Sequence, residues 1–242
     1  MPRPSDAQER ARELDARFGT MAAADLVAVA AEVVFPGRLA LMTSFGAESA
    51  VLLDLVAKVD RALPVLFADT RRLFPQTLAY RDALVDHLGL TEVRTVSPTA
   101  ADEAAEDPLG ALFAVDPDRC CDLRKVRPMA AATKPFDAWI TGRKRFQGAT
   151  RAALAVFDAE GSHIRVNPLA AWTSSDVLAY LATAGLPRHT LVAQGYRSIG
   201  CQPCTTPVAE GEDERAGRWR GTAKTECGLH VAPLGSRASG AL

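Results

Sequence analysis

Short apolar runs alternate over most of the chain with longer segments in which apolar residues recur every three or four positions. The short runs are typical of buried strands, and the longer pattern is typical of helices with one apolar face. Strands are predicted at Leu39–Thr43, Pro64–Ala68, Glu92–Val96, Ala138–Thr141 and His163–Val166. Helices are predicted at Ser5–Phe18, Ala22–Phe35, Ser49–Val59, Pro75–Leu88, Arg119–Ala132 and Ser174–Ala184. This alternation predicts an α/β fold, a parallel sheet with helices on both faces.

The periodic pattern stops near Pro187, which divides the chain into three predicted parts. Residues 1–36 form N-terminal helices, residues 37–187 form the α/β domain, and residues 188–242 form a C-terminal segment with little periodicity. The last segment contains three of the five cysteines. Segments that are ordered mainly by a bound metal or ligand have this character, so we expect it to be flexible without one.

Composition and charge narrow the class of protein. A chain of 242 residues with 48% hydrophobic and 24% charged residues can form one substantial core. Its 28 Lys+Arg against 29 Asp+Glu lack the basic surplus of a general nucleic-acid binder. No apolar run is long enough to cross a bilayer, and residues 1–17 lack the apolar core of a signal peptide. We therefore expect a cytoplasmic protein with neither nucleic acid nor membrane as a partner.

Five cysteines in a reducing compartment suit metal binding or redox chemistry better than disulfides. Cys120 and Cys121 are adjacent, and Cys201 and Cys204 follow much later in the chain. Thiolates favour zinc or iron–sulfur clusters. Adjacent side chains diverge, which strains a single tetrahedral zinc ion but suits two different irons of a cluster. The spacing favours a cluster, with zinc or unligated cysteines as alternatives.

The fifth cysteine, Cys227, lies in the polar stretch Glu226-Cys227-Gly228-Leu229-His230. A lone cysteine beside glycine in an exposed segment suits a nucleophile better than a core position. Its thiol needs a cationic neighbour to become a thiolate, and His230 is one candidate. The alternative is a harmless surface thiol.

The first predicted strand is joined to the next helix by a loop of small residues, Ser44-Phe45-Gly46-Ala47-Glu48-Ser49. Open α/β sheets bind ligands at the carboxyl ends of their strands, and the N–H groups of a helix start favour anions. The spacing fits neither a Walker loop nor a dinucleotide fingerprint. An ordinary strand–helix turn accounts for the same residues, so the loop alone does not establish a binding site.

Basic residues form local clusters, which are Arg124-Lys125, Arg143-Lys144-Arg145 with Arg151, and Arg215 with Arg218. Most clusters of charge are solvated surface. Arg143, however, follows a predicted strand through Gly142, which places it at the carboxyl edge of the sheet beside the first loop. Arginine and lysine side chains that converge there would suit phosphate or sulfate.

In this order, the segments resemble those of the assimilatory adenylyl-sulfate reductases in the phosphoadenylyl-sulfate reductase family. The resemblance spans residues 39–230. Its signals are Ser44–Ser49, Ala68-Asp69-Thr70 with Leu73-Phe74-Pro75, Cys120-Cys121-Asp122-Leu123-Arg124-Lys125, Ile140-Thr141-Gly142-Arg143, Cys201-Gln202-Pro203-Cys204 and Glu226–His230. Two features depart from the family pattern. Arg71 stands where the family often has glycine after Asp-Thr, and Lys144-Arg145-Phe146-Gln147 is not the commoner continuation of the arginine-rich segment.

The resemblance implies an adenine-nucleotide hydrolase-like fold with a modified pyrophosphate-binding loop, so that residues 37–187 bind the nucleotide. It implies that Cys227 is the catalytic nucleophile. It also implies that a 4Fe–4S cluster is held by Cys120, Cys121, Cys201 and Cys204. The implied substrate contacts are Ser44, Phe45, Gly46, Ala47 and Glu48 at the nucleotide, and Lys125, Arg143, Arg215, Arg218 and His230 at the phosphosulfate.

The implied activity is the reduction of adenylyl sulfate to sulfite and AMP through an S-sulfo intermediate on Cys227, in sulfate assimilation towards cysteine biosynthesis. Thioredoxin or glutaredoxin would be the reductant, and a homo-oligomer is left open. The alternatives are reduction of 3′-phosphoadenylyl sulfate or of both substrates, a sulfur transferase acting on RNA, and a non-enzymatic iron–sulfur or zinc sensor. The double cysteine pairs favour adenylyl sulfate, because relatives specific for the 3′-phosphorylated form typically lack them.

Overall fold

A six-stranded mixed sheet forms the centre of the computed structural model, which describes residues 4–148 and 151–230. The strands are β1 Leu39–Thr43, β2 Val65–Ala68, β3 Val93–Val96, β4 Ala138–Ile140, β5 Phe157–Glu160 and β6 His163–Val166. Their order in the sheet is β3-β2-β1-β4-β6-β5. All neighbouring strands are parallel except β5 and β6. The predicted strands are confirmed, with ends that differ by one residue at most.

The antiparallel strand β5 was not predicted, and it makes the otherwise parallel sheet mixed. It is joined to β6 by the two-residue turn Gly161-Ser162, in which Gly161 has a φ of 61°. Glycine with a positive φ in a two-residue loop is typical of a β-hairpin. The strand contains Asp158 and Glu160. It is therefore not a continuous apolar run, and the apolar pattern did not reveal it.

The helices flank the sheet on both faces. In the described residues they are α1 Pro4–Phe18, α2 Ala23–Val29, α3 Ser49–Val59, α4 Pro75–Leu88, α5 Ala100–Glu106, α6 Leu112–Val115, α7 Pro117–Cys121, α8 Arg127–Thr133 and α9 Ser174–Thr183. Shorter 3₁₀ turns lie at Arg145–Gln147, Thr190–Gln194, Gln202–Cys204 and Gly228–His230. Across the described ranges, none of these helices combines the length and apolarity that a membrane span requires.

Two of the predicted helices are interrupted by a π-helical turn. One turn, Ala30–Val34, continues α2, and the other, Asp122–Val126, connects α7 to α8. A π-turn widens the helix by one residue per turn and is frequent at functional sites. The second turn carries Arg124, which lines one of the two cavities described below, and Lys125, which lines both.

Side chains of β1 alternate between two cores. Leu39 and Leu41 face the larger core, which they share with α1, α2, α3, α4 and α9. Ala40 and Met42 face a smaller core that includes Trp219, Cys227 and Leu229 from the C-terminal segment. The described part of that segment, residues 188–230, is therefore packed onto the sheet, although its sequence predicted flexibility.

Candidate active site

The strand order reverses direction at β1. β2 and β3 lie on one side of β1, whereas β4, β6 and β5 lie on the other. The loops after β1 and β4 therefore diverge, and open α/β sheets bind ligands in the crevice between such loops. A cavity of about 230 Å³ lies there. Of the predicted catalytic and substrate-contact residues, those that line it are Ser44, Gly46, Ala47, Glu48, Lys125, Arg143, Arg215, Arg218 and Cys227.

The loop after β1 contains a strained residue. Phe45 has a φ of 50°, in the left-handed region that residues other than glycine rarely adopt. Its N–H donates to Thr43 Oγ1 at 3.0 Å, and its buried ring packs edge-on against Phe67 with 5.2 Å between centroids. Ser49, the first residue of α3, donates through Oγ to the Gly46 carbonyl at 2.7 Å. Phe45 therefore anchors the loop in the core, whereas its neighbours line the cavity.

Lys144 and Glu48 connect the two loops across the crevice. Lys144 Nζ donates to Glu48 Oε2 at 2.7 Å and to the Gly142 carbonyl at 3.1 Å. Gln147 Nε2 also donates to Glu48 Oε2, at 3.2 Å. Lys144 is buried, so its charge depends on the Glu48 carboxylate for compensation. The pair therefore holds the two loops together.

Arg143 lines the cavity, but its guanidinium group also donates to Asp158 and Asn167, which do not line it. Nη2 donates to Asp158 Oδ2 at 2.9 Å and to Asn167 Oδ1 at 3.1 Å, and Nε donates to Asn167 at 3.3 Å. Burial lowers the pKa of Arg143 despite these partners. Asp158 lies on β5, the strand that the sequence pattern did not reveal. The sequence therefore did not predict that Asp158 would compete with a substrate anion for Arg143.

Arg218 presents an unpaired donor at the cavity. Its Nε is buried and has no hydrogen-bond partner within the described ranges. The guanidinium carbon lies 4.4 Å from the centroid of the Trp219 ring, in cation–π contact. A Cβ on Gly200 would lie 2.3 Å from Arg218 Nη2, so glycine at that position leaves the room that the arginine occupies. An anion in the cavity can accept from this donor.

Lys125 lies where the cavity meets a group of cysteines. It is buried in the π-helical turn. Burial disfavours its charge, but electrostatic interaction with the side chains of Cys201, Cys227 and Cys121 outweighs burial and raises the pKa of Lys125. The ammonium group therefore stays charged at neutral pH while it lines the cavity.

Cys227 also lines the cavity and is buried there. A hydrogen bond from the Cys121 thiol lowers the pKa of Cys227. Lys125, the backbone N–H of Leu229 and Arg218 lower it further, although burial opposes them. A thiolate held beside cations is the reactive form of cysteine. The arrangement therefore supplies a nucleophile directed at the space in which an anionic substrate would lie.

The other four cysteines line a second cavity, which adjoins the first at Lys125 and Trp219. Cys120 and Cys121 end α7, and Cys201 and Cys204 belong to the chain around the turn Gln202–Cys204. Thr70 Oγ1 lies 3.2 Å from Cys201 Sγ. The two predicted pairs thus meet from distant parts of the chain. No group of three or more His, Cys, Asp or Glu side chains in the described part of the chain is arranged to hold a metal ion.

Three buried N–H groups at the second cavity lack hydrogen-bond partners among the described residues: Nε of Arg72, Nε of Arg124 and Nε1 of Trp219. Buried donors nearly always have a partner, so these three point to acceptors that the described side chains do not supply. The sulfur atoms of an iron–sulfur cluster accept such hydrogen bonds. Four thiols and three unpaired N–H groups are the donor chemistry that a cluster requires, although the described thiols are not arranged around a metal ion.

Sequence reasoning missed several residues of the site. Arg72, Gly200 and Trp219 each contact it, and each lies next to or near a residue of a quoted motif. That proximity was the only signal in the sequence. The side chain of His230 lies outside what the structure describes, so its predicted contact with the phosphosulfate stays a prediction.

The sheet order and its crevice define a doubly wound α/β protein with a ligand site at the switch point. Residues 38–207 match the sequence profile of the phosphoadenosine phosphosulfate reductase domain. The chain belongs to the phosphoadenosine phosphosulfate reductase family, which confirms the resemblance stated from the sequence.

Relatives of known name extend this comparison. The adenosine 5′-phosphosulfate reductase of Mesorhizobium japonicum is 52% identical over 93% of this chain and 89% of its own length. The phosphoadenosine 5′-phosphosulfate reductase of Gloeobacter violaceus is 41% identical over 84% of this chain and 88% of its own. The crystal structure of phosphoadenylyl-sulfate reductase from Candida auris in a phosphate complex has a TM-score of 0.70. That structure is 28% identical and covers 82% of this chain and 97% of its own.

Proposed function

We propose that this oxidoreductase converts adenylyl sulfate to sulfite and AMP in assimilatory sulfate reduction. The observation that carries the proposal is the buried Cys227 thiol, which shares one cavity with the loop after β1 and with Lys125 and Arg218. Nucleophile, nucleotide loop and anion donors thus converge on one space. The 52% identity to an adenosine 5′-phosphosulfate reductase supports the same reaction.

The chemistry requires two thiol steps. The Cys227 thiolate attacks the sulfur of the sulfate group. An S–S bond forms, the bond from sulfur to the bridging oxygen breaks, and AMP leaves with its electron pair. Charge develops on that oxygen, where Lys125 and Arg218 can stabilise it. A thiolate of reduced thioredoxin or glutaredoxin then attacks Cys227 Sγ and releases sulfite. The reductant's second thiol resolves the mixed disulfide, so the reductant supplies both electrons.

We assign Cys120, Cys121, Cys201 and Cys204 as the ligands of a 4Fe–4S cluster. Burial raises the pKa of Cys120 to about 11, so iron binding would displace a proton that the thiol otherwise keeps. When bound, the cluster would supply a fixed charge close to Lys125 and thereby adjust the field at the sulfate. The thiol steps account for the electrons of the reaction without it.

The remaining assignments concern the parts of the chain and its location. We propose residues 1–36 as N-terminal helices, residues 37–187 as the nucleotide-binding α/β domain and residues 188–242 as the C-terminal cluster-binding and catalytic segment. A cytoplasmic location matches the need for reduced thiols at Cys227. The cavity and the thiol also suit a reductase better than a non-enzymatic sensor.

We predict that kcat/KM for adenylyl sulfate exceeds that for the 3′-phosphorylated form by at least about tenfold, or roughly 1.4 kcal/mol. On the nucleotide-loop side of the cavity, Arg143 and Lys144 are already paired with Asp158 and Glu48. Glu214 adds a carboxyl group there. A 3′-phosphate brings nearly two more negative charges and meets no buried unpaired cation among the described residues on that side.

Parallel sulfite-release assays with both nucleotides, the same thioredoxin and fixed ionic strength measure this ratio. Equal efficiencies would make the protein a dual-specificity reductase, and a reversed ratio would make it a reductase of the 3′-phosphorylated substrate. No turnover of either nucleotide would contradict the proposed function itself.

Gly200→Ala is expected to lower kcat/KM for adenylyl sulfate by about tenfold to a hundredfold, the range for losing a charged hydrogen bond. The added methyl group would displace the Arg218 guanidinium, which lies 2.3 Å from the position of that carbon. In an Arg218→Ala background the same substitution should have little effect, because its target is gone. Steady-state kinetics of the two single variants and the double variant provide the test. Fully additive losses would contradict the predicted role of Gly200.

A further inference from the structure

The carboxylate of Glu226, next to the candidate nucleophile, is held by two arginines. Arg151 donates to it through Nε and Nη2, both at 2.9 Å, in a bidentate pair. Arg215 Nη2 donates to Glu226 Oε2 at 3.0 Å and to the carbonyl of Thr225 at 3.0 Å. The side chains of Glu226 and Arg151 are only 8% and 9% exposed. A buried bidentate pair of this kind is directional as well as strong.

Arg151 is itself held from the opposite wall of the cavity. Its Nη1 donates to Gln147 Oε1 at 2.7 Å, and Gln147 Nε2 donates to Glu48 Oε2 at 3.2 Å. Glu48 belongs to the loop after β1. A continuous series of hydrogen bonds therefore connects that loop with Glu226, and Glu226 is one peptide bond from Cys227.

We propose that Glu226 is a positioning residue that holds Cys227 in the cavity for attack on the sulfate and whose release exposes Cys227 to the reductant. The proposal rests on the proposed function for the identity of the reaction. Because the Glu226 carboxylate is fixed, the adjacent Cys227 Sγ can point in few directions. A small error in the position of a nucleophile lowers the reaction rate strongly.

The same contacts set the balance between two positions of Cys227. The thiol is buried, whereas attack by a thioredoxin-like protein requires it to be reached from outside. Residues 225–227 must therefore leave the cavity between the two thiol steps. Without the Glu226 charge, Arg151 and Arg215 would be left as two like charges in a buried site, which favours the outward position.

The chain offers a matched control on the same segment. Lys224, two residues before Glu226, forms an ion pair with Asp118 of α7, in which the Lys224 side chain is 8% exposed and the Asp118 side chain 67% exposed. Because the Asp118 carboxylate is solvated, this pair contributes less to holding the segment than a pair that is buried on both sides. Asp118→Asn therefore weakens a contact of the same segment from its solvent-exposed partner and leaves the contacts of Glu226 unchanged.

The test compares wild type with Glu226→Gln, Glu226→Asp and Asp118→Asn as intact chains. The rate of iodoacetamide alkylation of Cys227, read by peptide mass spectrometry, reports whether the thiol is accessible. Deuterium uptake by peptides covering residues 221–229 reports motion of the segment independently of thiol ionisation. Neither measurement requires turnover. Thermal melting temperatures identify any variant that fails to fold. If Glu226→Gln is such a variant, the comparison of wild type with Glu226→Asp, which keeps the charge, decides the test.

Glu226→Gln is expected to raise the alkylation rate at least about tenfold, increase deuterium uptake and slow formation of the sulfo adduct from adenylyl sulfate at least about tenfold. Glu226→Asp should lie between it and wild type, and Asp118→Asn should resemble wild type. The proposal would be overturned if Glu226→Gln kept the alkylation rate and the deuterium uptake of wild type. It would also be overturned if Asp118→Asn changed both quantities as much as Glu226→Gln does. Absence of an adduct in wild type would instead contradict the proposed function, so the two failures are distinguishable.

Discussion

Cys227→Ser is expected to reduce sulfite release from adenylyl sulfate by at least about four orders of magnitude, the scale on which enzymes lose activity without their nucleophile. A serine hydroxyl in this position keeps its proton, whereas a hydrogen bond from Cys121 and the nearby charges of Lys125 and Arg218 favour the thiolate of Cys227. A sulfate ester formed on serine would also have an oxygen atom in place of Sγ, so it would contain no S–S bond for a reducing thiol to cleave. The variant therefore lacks both steps of the reaction.

The intermediate is the direct measurement of this prediction. Wild type incubated with adenylyl sulfate in the absence of reductant should gain the mass of one sulfo group on the peptide that contains Cys227. Addition of reduced thioredoxin should remove that mass and release sulfite. Cys227→Ser should show no such adduct and should bind nucleotide as wild type does, because the loop after β1 is unchanged. An adduct on any other cysteine would contradict the assignment of the nucleophile.

The sequence predicted the central sheet well because buried parallel strands are continuous apolar runs. β1 and β2 are buried along nearly their whole length, and their predicted bounds agree with the structure to within one residue. α5 was not predicted for the opposite reason. None of its residues is buried, so it has no apolar face to produce a helical period. Its start is nevertheless marked by Thr99, whose Oγ1 accepts from the Asp102 N–H at 3.1 Å.

Most of the predicted substrate contacts and Cys227 line the cavity, but the pairing of these side chains was not predicted. Glu226 and Arg151 are 75 positions apart in the chain, and Lys144 and Glu48 are 96 apart. Spacing along a sequence carries no information about such contacts, since they depend on which loops the sheet order brings together. For the same reason the sequence did not reveal that Arg143 is shared with Asp158. The described C-terminal residues are ordered by these side-chain contacts, which produce no periodic pattern.

Replacing any one of Cys120, Cys121, Cys201 or Cys204 with serine is expected to remove most of the iron from a protein that otherwise contains about four irons and four acid-labile sulfides per chain. All four side chains line the second cavity, so each substitution removes one ligand from the same centre. A hydroxyl group is a harder ligand than a thiolate and does not replace it on iron. The unpaired N–H groups of Arg72, Arg124 and Trp219 would also lose their acceptors.

Iron and sulfide analysis after purification without oxygen, together with the visible absorption spectrum, measures this prediction, and Cys227→Ser is the matched control. Cys227 contacts Cys121 and shares a core with it, but it lies outside the lining of the second cavity. Its loss should therefore leave the iron content unchanged, whereas Cys121→Ser should lose it. Stoichiometric zinc without sulfide in the wild type would mean that the thiolates hold a single ion. Equal iron loss in Cys227→Ser would mean that Cys227 is a ligand, and it could not then be free to attack the sulfate.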